Sequence, residues 1–440
     1  MITSAPASAL PRLAGLAASF RSIEHSGSVS AAIGLTVEVE GLTASIGQQV
    51  MITAGQQPVL CLVVGFRANR TILMPFADPN GIASGSRAVA LGHGAQVVVG
   101  DGLLGRVIDG LGIPIDDGPP LRGQRIELEQ VGGGAHPLRR LPITEHLSTG
   151  VRVLDGMLAC GRGQRLGILA GSGVGKSTFL GMIARNSDSD INVIALIGER
   201  GREVREFIDY NLGPEGMKKS VVVVATSDQS ALLRRNAAWV AASIAEYFRD
   251  EGRHVLFMMD SVTRFAMAQR EIGLAIGEPP TTRGFTPSVF AMLPLLLERA
   301  GSGERGTITG FYTVLVEGDD MNEPITDAVR GTLDGHIVLT RALAAGNHYP
   351  AVDVLASVSR LMPMLVDKEH LGFAARMRTW LAAHHAAKDL LEIGAYVAGS
   401  NADIDQAVSR MPNILSFLRQ DAHDVTPWSD MVGMMQAVAR

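Results

Sequence analysis

The chain has 440 residues, enough for about two or three domains with substantial cores. Charged residues make up 19% and hydrophobic residues 46% of the sequence, a balance that excludes a largely disordered chain. The formal net charge of −5 gives no overall basic surface for nucleic acid. Two cysteines, Cys61 and Cys160, are too few for a disulfide framework and are typical of a reducing compartment.

The amino-terminal segment, residues 1–25, predicts a short amphipathic helix because apolar residues recur along one face. These residues are Leu10, Leu13, Leu16 and Phe20. Such a helix either packs on its own domain or binds a partner. The segment lacks the basic start of a signal peptide, and the longest apolar run, SVFAMLPLLL, is about half of what a membrane-spanning helix needs. We therefore expect a cytoplasmic protein.

Two regions of different pattern follow this segment. Residues 26–95 contain short β-rich runs such as LTVEVEGL and PVLCLVVGF, separated by turn residues, and predict a small sandwich or barrel. The connector 96–150 holds a G-x-G-x-x-G match at Gly100, Gly102 and Gly105. The glycines and the proline that follow prevent the helix that a dinucleotide site requires, so a turn between strands explains this match better.

The rest of the chain predicts an α/β core followed by helices. Nearly continuous apolar runs, among them INVIALIG, SVVVVATS and HVLFMMD, alternate with helical patterns up to residue 366. Such runs are typical of a mainly parallel sheet that is buried on both faces. Residues 367–440 show helical patterns alone and predict a small helical domain.

The strongest chemical signal is GILAGSGVGKSTFL, in which a strand leads through a glycine-rich loop into a helix. This is the P-loop pattern, with Ala170 where the simplest form has glycine. The backbone N–H groups of such a loop surround phosphates, Lys176 reaches the β- and γ-phosphates, and the Ser177 hydroxyl binds Mg²⁺. The predicted nucleotide-binding residues are Gly171, Ser172, Gly173, Val174, Gly175, Lys176, Ser177 and Thr178.

A P-loop site needs a second anchor for Mg²⁺, an acid at the end of a neighbouring buried strand. The run HVLFMMDS supplies Asp260 at such an end. Taken alone, an acid in this position is more often a turn or cap residue. Together with the P-loop it predicts metal binding through water.

Hydrolysis also requires a group that orients and activates the attacking water. Glu199 ends the next strand-like run after the P-loop helix, so it can open onto the same edge of the sheet. Spacing alone leaves two interpretations of Glu199 open, a catalytic base or a solvated strand-end charge beside a neighbouring arginine. Asp319, Asp320 and Glu323, after a later strand, are rival acids.

These residues lie within longer motifs that resemble the ATPases of the rotary synthase superfamily. PAVDVLASVS, residues 350–359, is similar to the signature of its α- and β-type subunits. GERGREVREFI, REIGLAIGEPPTTRGFTPSVFAMLPLLLERAG and VEGDDMNEPI resemble the type III secretion export ATPases in particular, the flagellar branch first. The resemblance extends over essentially the whole chain from about residue 30.

The resemblance implies roles for individual residues. Glu199 would be the catalytic glutamate that polarises the attacking water, while the P-loop residues and Asp260 would keep the roles given above. Arg360 would be an arginine finger that reaches the nucleotide of the neighbouring subunit, a contribution worth about 10³ to 10⁵ in rate. Tyr349 would stack on adenine. From the residue pattern alone, Arg360 is a surface arginine and Tyr349 a core residue.

The resemblance also implies an architecture and partners. The region 26–95 would be a β-barrel that forms a crown in a homohexameric ring, and the segment 1–25 would bind a stator-like regulator. The helical region 367–440 would face the export gate and chaperone–substrate complexes, with a central stalk-like protein as a further partner. The ring would attach peripherally to the export apparatus at the inner membrane, and no nucleic acid is expected.

The leading hypothesis is therefore a P-loop ATPase of α/β fold that uses ATP and Mg²⁺ to energise flagellar protein export. A virulence secretion ATPase and a catalytic subunit of rotary ATP synthase type are the alternatives. A nonhydrolytic ring subunit is disfavoured because Lys176, Glu199 and Asp260 are all present. A hexameric nucleic-acid motor is disfavoured by the acidic balance and by the lack of an aromatic and basic binding stretch.

Overall fold

A computed structural model describes residues 24–55, 57–128, 137–316, 318 and 320–439. The predicted amino-terminal helix, except for the last two residues of its segment 1–25, lies outside these residues, and so does Asp319. The described chain divides between Ala95 and Gln96 into two compact units.

The first unit is a closed six-stranded barrel. Its strands are β1 Ser26–Ile33, β2 Thr36–Glu40, β3 Gln48–Ala54, β4 Gln57–Arg67, β5 Arg70–Pro75 and β6 Arg87–Gly94. They follow one another around the barrel in the order β1-β2-β5-β4-β3-β6, and every neighbouring pair is antiparallel. Closure leaves no strand edge open. Val39, Val50, Ile52, Cys61 and Leu73 fill the interior and are wholly buried.

The second unit contains one large sheet and two separate two-stranded sheets. Its strands are β7 Gln96–Val99, β8 Val107–Asp109, β9 Gln124–Glu127, β10 His146–Leu147, β11 Cys160–Gly161, β12 Arg165–Ala170, β13 Ile191–Ile197, β14 Ser220–Ala225, β15 His254–Asp260, β16 Gly301–Ser302, β17 Thr307–Leu315, β18 Gly335–Leu339 and β19 Val352–Ser359. The main order is β19-β18-β12-β17-β15-β13-β14-β8, and the pairs from β18 to β8 are parallel. All seven residues of β13 are buried, as expected of a strand covered on both faces.

Helices cover this sheet and close the chain. They are α1 Arg152–Met157, α2 Lys176–Asn186, α3 Gly201–Glu206, α4 Gly213–Lys218, α5 Ala231–Asp250, α6 Val262–Ile276, α7 Pro287–Leu297, α8 Pro324–Thr332, α9 Arg341–Ala345, α10 Met362–Leu365, α11 Lys368–Glu392, α12 Ala402–Leu418 and α13 Trp428–Ala439. A π-helix, Phe207–Leu212, continues α3. Only a 3₁₀ turn, Asp101–Leu103, follows Gly100, so the G-x-G-x-x-G stretch opens no dinucleotide-type helix.

The register of the parallel strands brings the ends of distant segments together. Ala170, the last residue of β12, pairs with Leu315 on one side and Leu339 on the other. Leu196 in β13 pairs with Asp260 at the end of β15. The carboxyl ends of these five strands therefore lie at one edge of the sheet, the place where open α/β sheets bind ligands.

The carboxyl-terminal helices α11 to α13 pack against one another and share a core with the sheet. Phe373, Phe417 and Met431 belong to the same buried cluster as Leu166 and Ile168 of β12. The barrel, the mainly parallel sheet and the helical end confirm the predicted fold class. Within the part of the chain that the structure describes, no helix is both long and apolar enough to cross a membrane.

Candidate nucleotide-binding and catalytic site

A cavity of about 590 Å³ opens at the carboxyl edge of the sheet. The P-loop, the segment after β13 and the end of β17 form its walls. The lining residues are Ala170, Gly171, Ser172, Gly173, Gly175, Lys176, Ser177, Thr178, Gly198, Glu199, Arg200, Glu203, Ser227, Arg264, Leu315, Val316, Gly318 and Arg341. Its volume and its polar walls suit a phosphorylated ligand of nucleotide size.

The P-loop adopts the conformation that its glycines permit. Gly173 and Gly175 have φ angles of 78° and 84°, a region that side-chain-bearing residues rarely enter. Gly175 is the N-cap of α2, so the loop delivers the chain directly to a helix N-terminus, where backbone N–H groups attract anions. Ser177 and Thr178 are exposed on the cavity wall, whereas Val174 is buried beneath it.

Lys176 links the two carboxylates that the sequence analysis singled out. Its Nζ hydrogen-bonds to Asp260 Oδ1 and lies 3.6 Å from Glu199 Oε1. The three side chains are only 5% to 17% exposed, so their charges interact with little screening by solvent. The structure therefore brings Glu199 into the site, and the alternative of a solvated strand-end charge does not fit its position.

The pKa values of this cluster reflect burial and charge. Burial and the nearby charge of Asp260 raise the pKa of Glu199 to about 7, although Lys176 acts in the opposite direction. Burial by itself lowers the pKa of Lys176, but the carboxylates of Asp260 and Glu199 outweigh it and raise that pKa. A carboxyl group with a pKa near neutrality can accept a proton at physiological pH, as a general base must.

The site offers few protein ligands to a metal ion. Asp260 is 4% exposed at the end of β15, and Ser177 stands at the start of α2. Among the described residues, no group of three or more histidine, cysteine, aspartate or glutamate side chains could hold a metal. One carboxylate and one hydroxyl, completed by water and phosphate oxygens, suit Mg²⁺, which keeps several waters in nucleotide sites.

Tyr349 lies beside the P-loop, as the family resemblance implied, and is not the core residue that the residue pattern alone predicted. A Cβ atom built on Gly175 would be 3.3 Å from the Tyr349 ring. Tyr349 is 42% exposed, so its side chain is accessible to a ligand. Gln420 N donates a hydrogen bond to the Tyr349 carbonyl over 2.9 Å and connects this position to the carboxyl-terminal helices.

Arg360 lies away from the cavity of its own chain. It follows β19, whose last residue, Ser359, pairs with Gly335 at the beginning of β18. Its backbone N–H donates to the Asp334 carbonyl at 3.1 Å, and its side chain is exposed. Since β18 spans about 15 Å at roughly 3.3 Å per residue, Arg360 occupies the edge of the sheet opposite the P-loop.

Asp320 and Glu323, the two rival acids that the structure describes, are engaged elsewhere. Asp320 pairs with Arg283 at 2.6 Å, and that pair holds the Asp320 pKa below its usual range. Glu323 is the N-cap of α8 and accepts a hydrogen bond from Thr326 at 3.1 Å. Neither residue lines the cavity.

Comparison with known proteins identifies the family. Residues 150–359 match the nucleotide-binding domain of the ATP synthase alpha/beta family, and residues 366–437 match the C-terminal domain of the type III secretion ATPase EscN. The flagellum-specific ATP synthase of Bacillus subtilis strain 168 is 54% identical over 91% of this chain and 92% of its own length. The chain is a member of the flagellar and type III secretion ATPase family.

This family membership confirms the predicted resemblance to the export ATPases and the prediction that the protein is an ATPase. The type 3 secretion system ATPase of Xanthomonas euvesicatoria is 48% identical over 94% of this chain and 93% of its own length. The assembled ATPase EscN of enteropathogenic E. coli superimposes with a TM-score of 0.89 at 43% identity and covers 94% of this chain and 100% of its own.

Several cavity residues of this family member escaped sequence analysis. Arg264 follows Asp260 by four residues, and its buried Nε has no hydrogen-bond partner among the described residues. Arg341 follows β18, the neighbour of the P-loop strand, and Glu203 lines the cavity and adds to the rise in the pKa of Glu199. Each arginine is a charged residue a few positions after a buried strand, and this was the only sequence signal for it. The sequence does not show the strand order, which decides whether such a residue faces the cavity.

Proposed function

We propose that this chain is a Mg²⁺-dependent ATPase that works as a homohexameric ring and energises flagellar protein export. The observation that carries the catalytic part is the position of Lys176, between Asp260 and Glu199 on the wall of a cavity of about 590 Å³ beside the P-loop. Relatives named flagellum-specific ATP synthase, among them one 54% identical, support the flagellar assignment over a virulence system.

The cavity residues can supply the separate functions that ATP hydrolysis requires. The P-loop N–H groups and Lys176 bind the β- and γ-phosphates of ATP and hold them against the end of β13. Glu199 orients a water molecule for attack on the γ-phosphorus and accepts its proton, while the bond from that phosphorus to the ADP oxygen breaks. The raised pKa of Glu199 matches this task, since a base near neutrality takes up and releases a proton easily.

Ser177 and Asp260 would hold the metal, Ser177 directly and Asp260 through water. Bound there, Mg²⁺ neutralises charge on the phosphate oxygens. Tyr349 would stack on adenine from its place beside Gly175. Arg360 would act on the nucleotide of the adjacent subunit, because it lies at the opposite edge of the sheet from its own P-loop.

The assembly and its partners are inferred from solved relatives and from the chain's own regions. One relative, EscN, is known as an assembled ATPase and in complex with its central stalk EscO. By analogy with these assemblies, we assign to this chain a stalk-like partner and self-assembly, which we propose is homohexameric. The segment 1–25 would bind a stator-like regulator, and the helices α11 to α13 would receive chaperone–substrate complexes at the export gate. The ring would then attach peripherally to the export apparatus at the inner membrane.

Phosphate release by the Glu199→Gln variant tests the catalytic assignment. We expect turnover to fall by about 10² to 10⁴, since a general base contributes on that order, while binding of a fluorescent ATP analogue persists. Glu206→Gln is the matched control, because Glu206 pairs with Arg202 at 2.7 Å outside the cavity. Wild-type turnover in Glu199→Gln would refute the assignment, as would an equal loss in the control.

A further inference from the structure

A buried threonine contacts the predicted metal anchor from behind. Thr313 lies in β17, between the P-loop strand β12 and the strand β15 that ends at Asp260. Its side chain is fully buried. A hydroxyl group buried in a sheet is unfavourable unless it is hydrogen-bonded, so its partner explains its presence.

That partner is the Asp260 carboxylate. Thr313 Oγ1 lies 2.7 Å from Asp260 Oδ1 and 3.2 Å from the Met259 carbonyl oxygen. The hydroxyl has a single proton, and the shorter contact, to an ionised acceptor, is the stronger hydrogen bond. Thr313 therefore donates to Asp260.

Thr313 and Lys176 reach the same oxygen of Asp260. Lys176 Nζ also hydrogen-bonds to Oδ1, and among the described residues no donor bonds to Oδ2. The terminal torsion of an aspartate side chain is intrinsically broad, so donors fixed in the sheet decide which oxygen turns inward. With Oδ1 occupied, Oδ2 is left to accept from a water ligand of the metal.

We propose that Thr313 is a positioning residue that fixes the Asp260 carboxylate for Mg²⁺ binding. The inference rests on the proposed function, in which Asp260 anchors the metal. Groups that hydrogen-bond to a metal ligand and orient it, without binding the metal themselves, typically contribute about 10- to 100-fold in metal affinity or activity. Among the site residues Thr313 hydrogen-bonds to Asp260 alone, so its effect on the metal passes through the Asp260 carboxylate.

The test compares Thr313→Val, which keeps the shape and loses the hydroxyl, with Thr313→Ser, which keeps the hydroxyl. The affinity of each variant for a fluorescent ADP analogue is measured with Mg²⁺ and with a chelator, and the ratio of the two affinities reports the contribution of the metal. We expect this ratio and kcat each to fall about 10-fold or more in Thr313→Val. Thr313→Ser should stay within about threefold of wild type, and affinity without metal should change by less than about twofold in both.

Thr309→Val is the matched control. Thr309 is a buried threonine of the same strand, and its hydroxyl accepts from Gly163 N at 2.8 Å, away from the cavity. We expect the control to lower the unfolding temperature without changing the metal ratio. An unchanged ratio in Thr313→Val, or an equal fall in Thr309→Val, would overturn the proposal and leave Thr313 a structural residue.

Two provisions keep the result interpretable. If Thr313→Val does not fold, Thr313→Cys places a weak donor of similar size at the position. The ratio of ADP affinities with and without Mg²⁺ should then fall between those of the wild type and a hydroxyl-free site. A ratio equal to that of the wild type would overturn the proposal. Absence of ATP turnover in the wild-type protein would refute the proposed function. The ADP measurement does not depend on turnover, so the two failures are distinguishable.

Discussion

The raised pKa of Glu199 depends on residues that are distant from it in the sequence. The burial of Glu199 and the nearby carboxylate of Asp260 raise the pKa of Glu199 to about 7, and Lys176 at 3.6 Å acts in the opposite direction. The same glutamate at a solvated strand end would be a weak base with an ordinary pKa. Its role as the catalytic base stays a prediction that the pH dependence of the reaction can check.

We expect kcat/KM for ATP to rise with pH and to level off above a pH near 7. A base acts only when it is deprotonated, so the profile should climb about tenfold per pH unit below the free-enzyme pKa of Glu199. Steady-state rates between pH 5.5 and 8.5, about three units around that value, measure the profile. The residual activity of Glu199→Gln should lack this limb, and a flat wild-type profile would contradict the assignment.

At the scale of the element, strand β19 separates two residues with predicted roles, Tyr349 and Arg360. Tyr349 precedes it at the P-loop edge, and Arg360 follows it at the opposite edge. Because β19 pairs antiparallel with β18 at the end of the sheet, its two ends face different surroundings. One strand can therefore place an aromatic residue at its own nucleotide and an arginine where another subunit would approach.

Tyr349→Ala should raise KM for ATP about tenfold and change kcat by less than about twofold. Stacking of a base on an aromatic ring is worth about 1–3 kcal/mol and is the same in the ground and transition states, so binding weakens while the chemical step does not. Tyr349→Phe keeps the ring and should behave as wild type. Because the hydrogen bond to Gln420 uses the Tyr349 carbonyl, both variants retain it. An unchanged KM in Tyr349→Ala would exclude the stacking role.

At the scale of the whole molecule, one chain does not bring all of the predicted site residues together. The cavity contains Lys176, Glu199 and Asp260 at its walls or just beneath them, but Arg360 is separated from it by the length of β18. A head-to-tail ring brings the edge of one subunit to the cavity of the next. Turnover would then require assembly.

Arg360→Ala should abolish the part of the activity that depends on protein concentration and leave nucleotide binding intact. Mixing it with Glu199→Gln should restore activity, since an intact site forms wherever an Arg360→Ala subunit receives Arg360 from a Glu199→Gln neighbour; random mixing gives about a quarter of the sites. Arg305→Ala, an exposed arginine before β17 at the same sheet edge, is the control and should be inert. A mixture that stays inactive would rule out a finger acting between subunits.

The sequence by itself determined the fold class, the P-loop and the candidate status of Asp260 and Glu199. These conclusions rest on local patterns: strand-like runs, a glycine-rich turn before a helix, and acids directly after buried strands. The resemblance to export ATPases, which the comparisons confirm, added Arg360 and Tyr349 as predictions that spacing could not have supplied.

Only the tertiary structure decided which of these residues meet. The strand order places β17 between β12 and β15. Lys176, Asp260 and Thr313 therefore form one hydrogen-bonded group, although Lys176 and Asp260 are 84 residues apart in the sequence. The tertiary structure also separates Arg360 from the cavity. It pairs Asp320 with Arg283. Hydrogen bonds and charges act over a few ångströms, and the pairing of parallel strands, which no local pattern encodes, sets those distances.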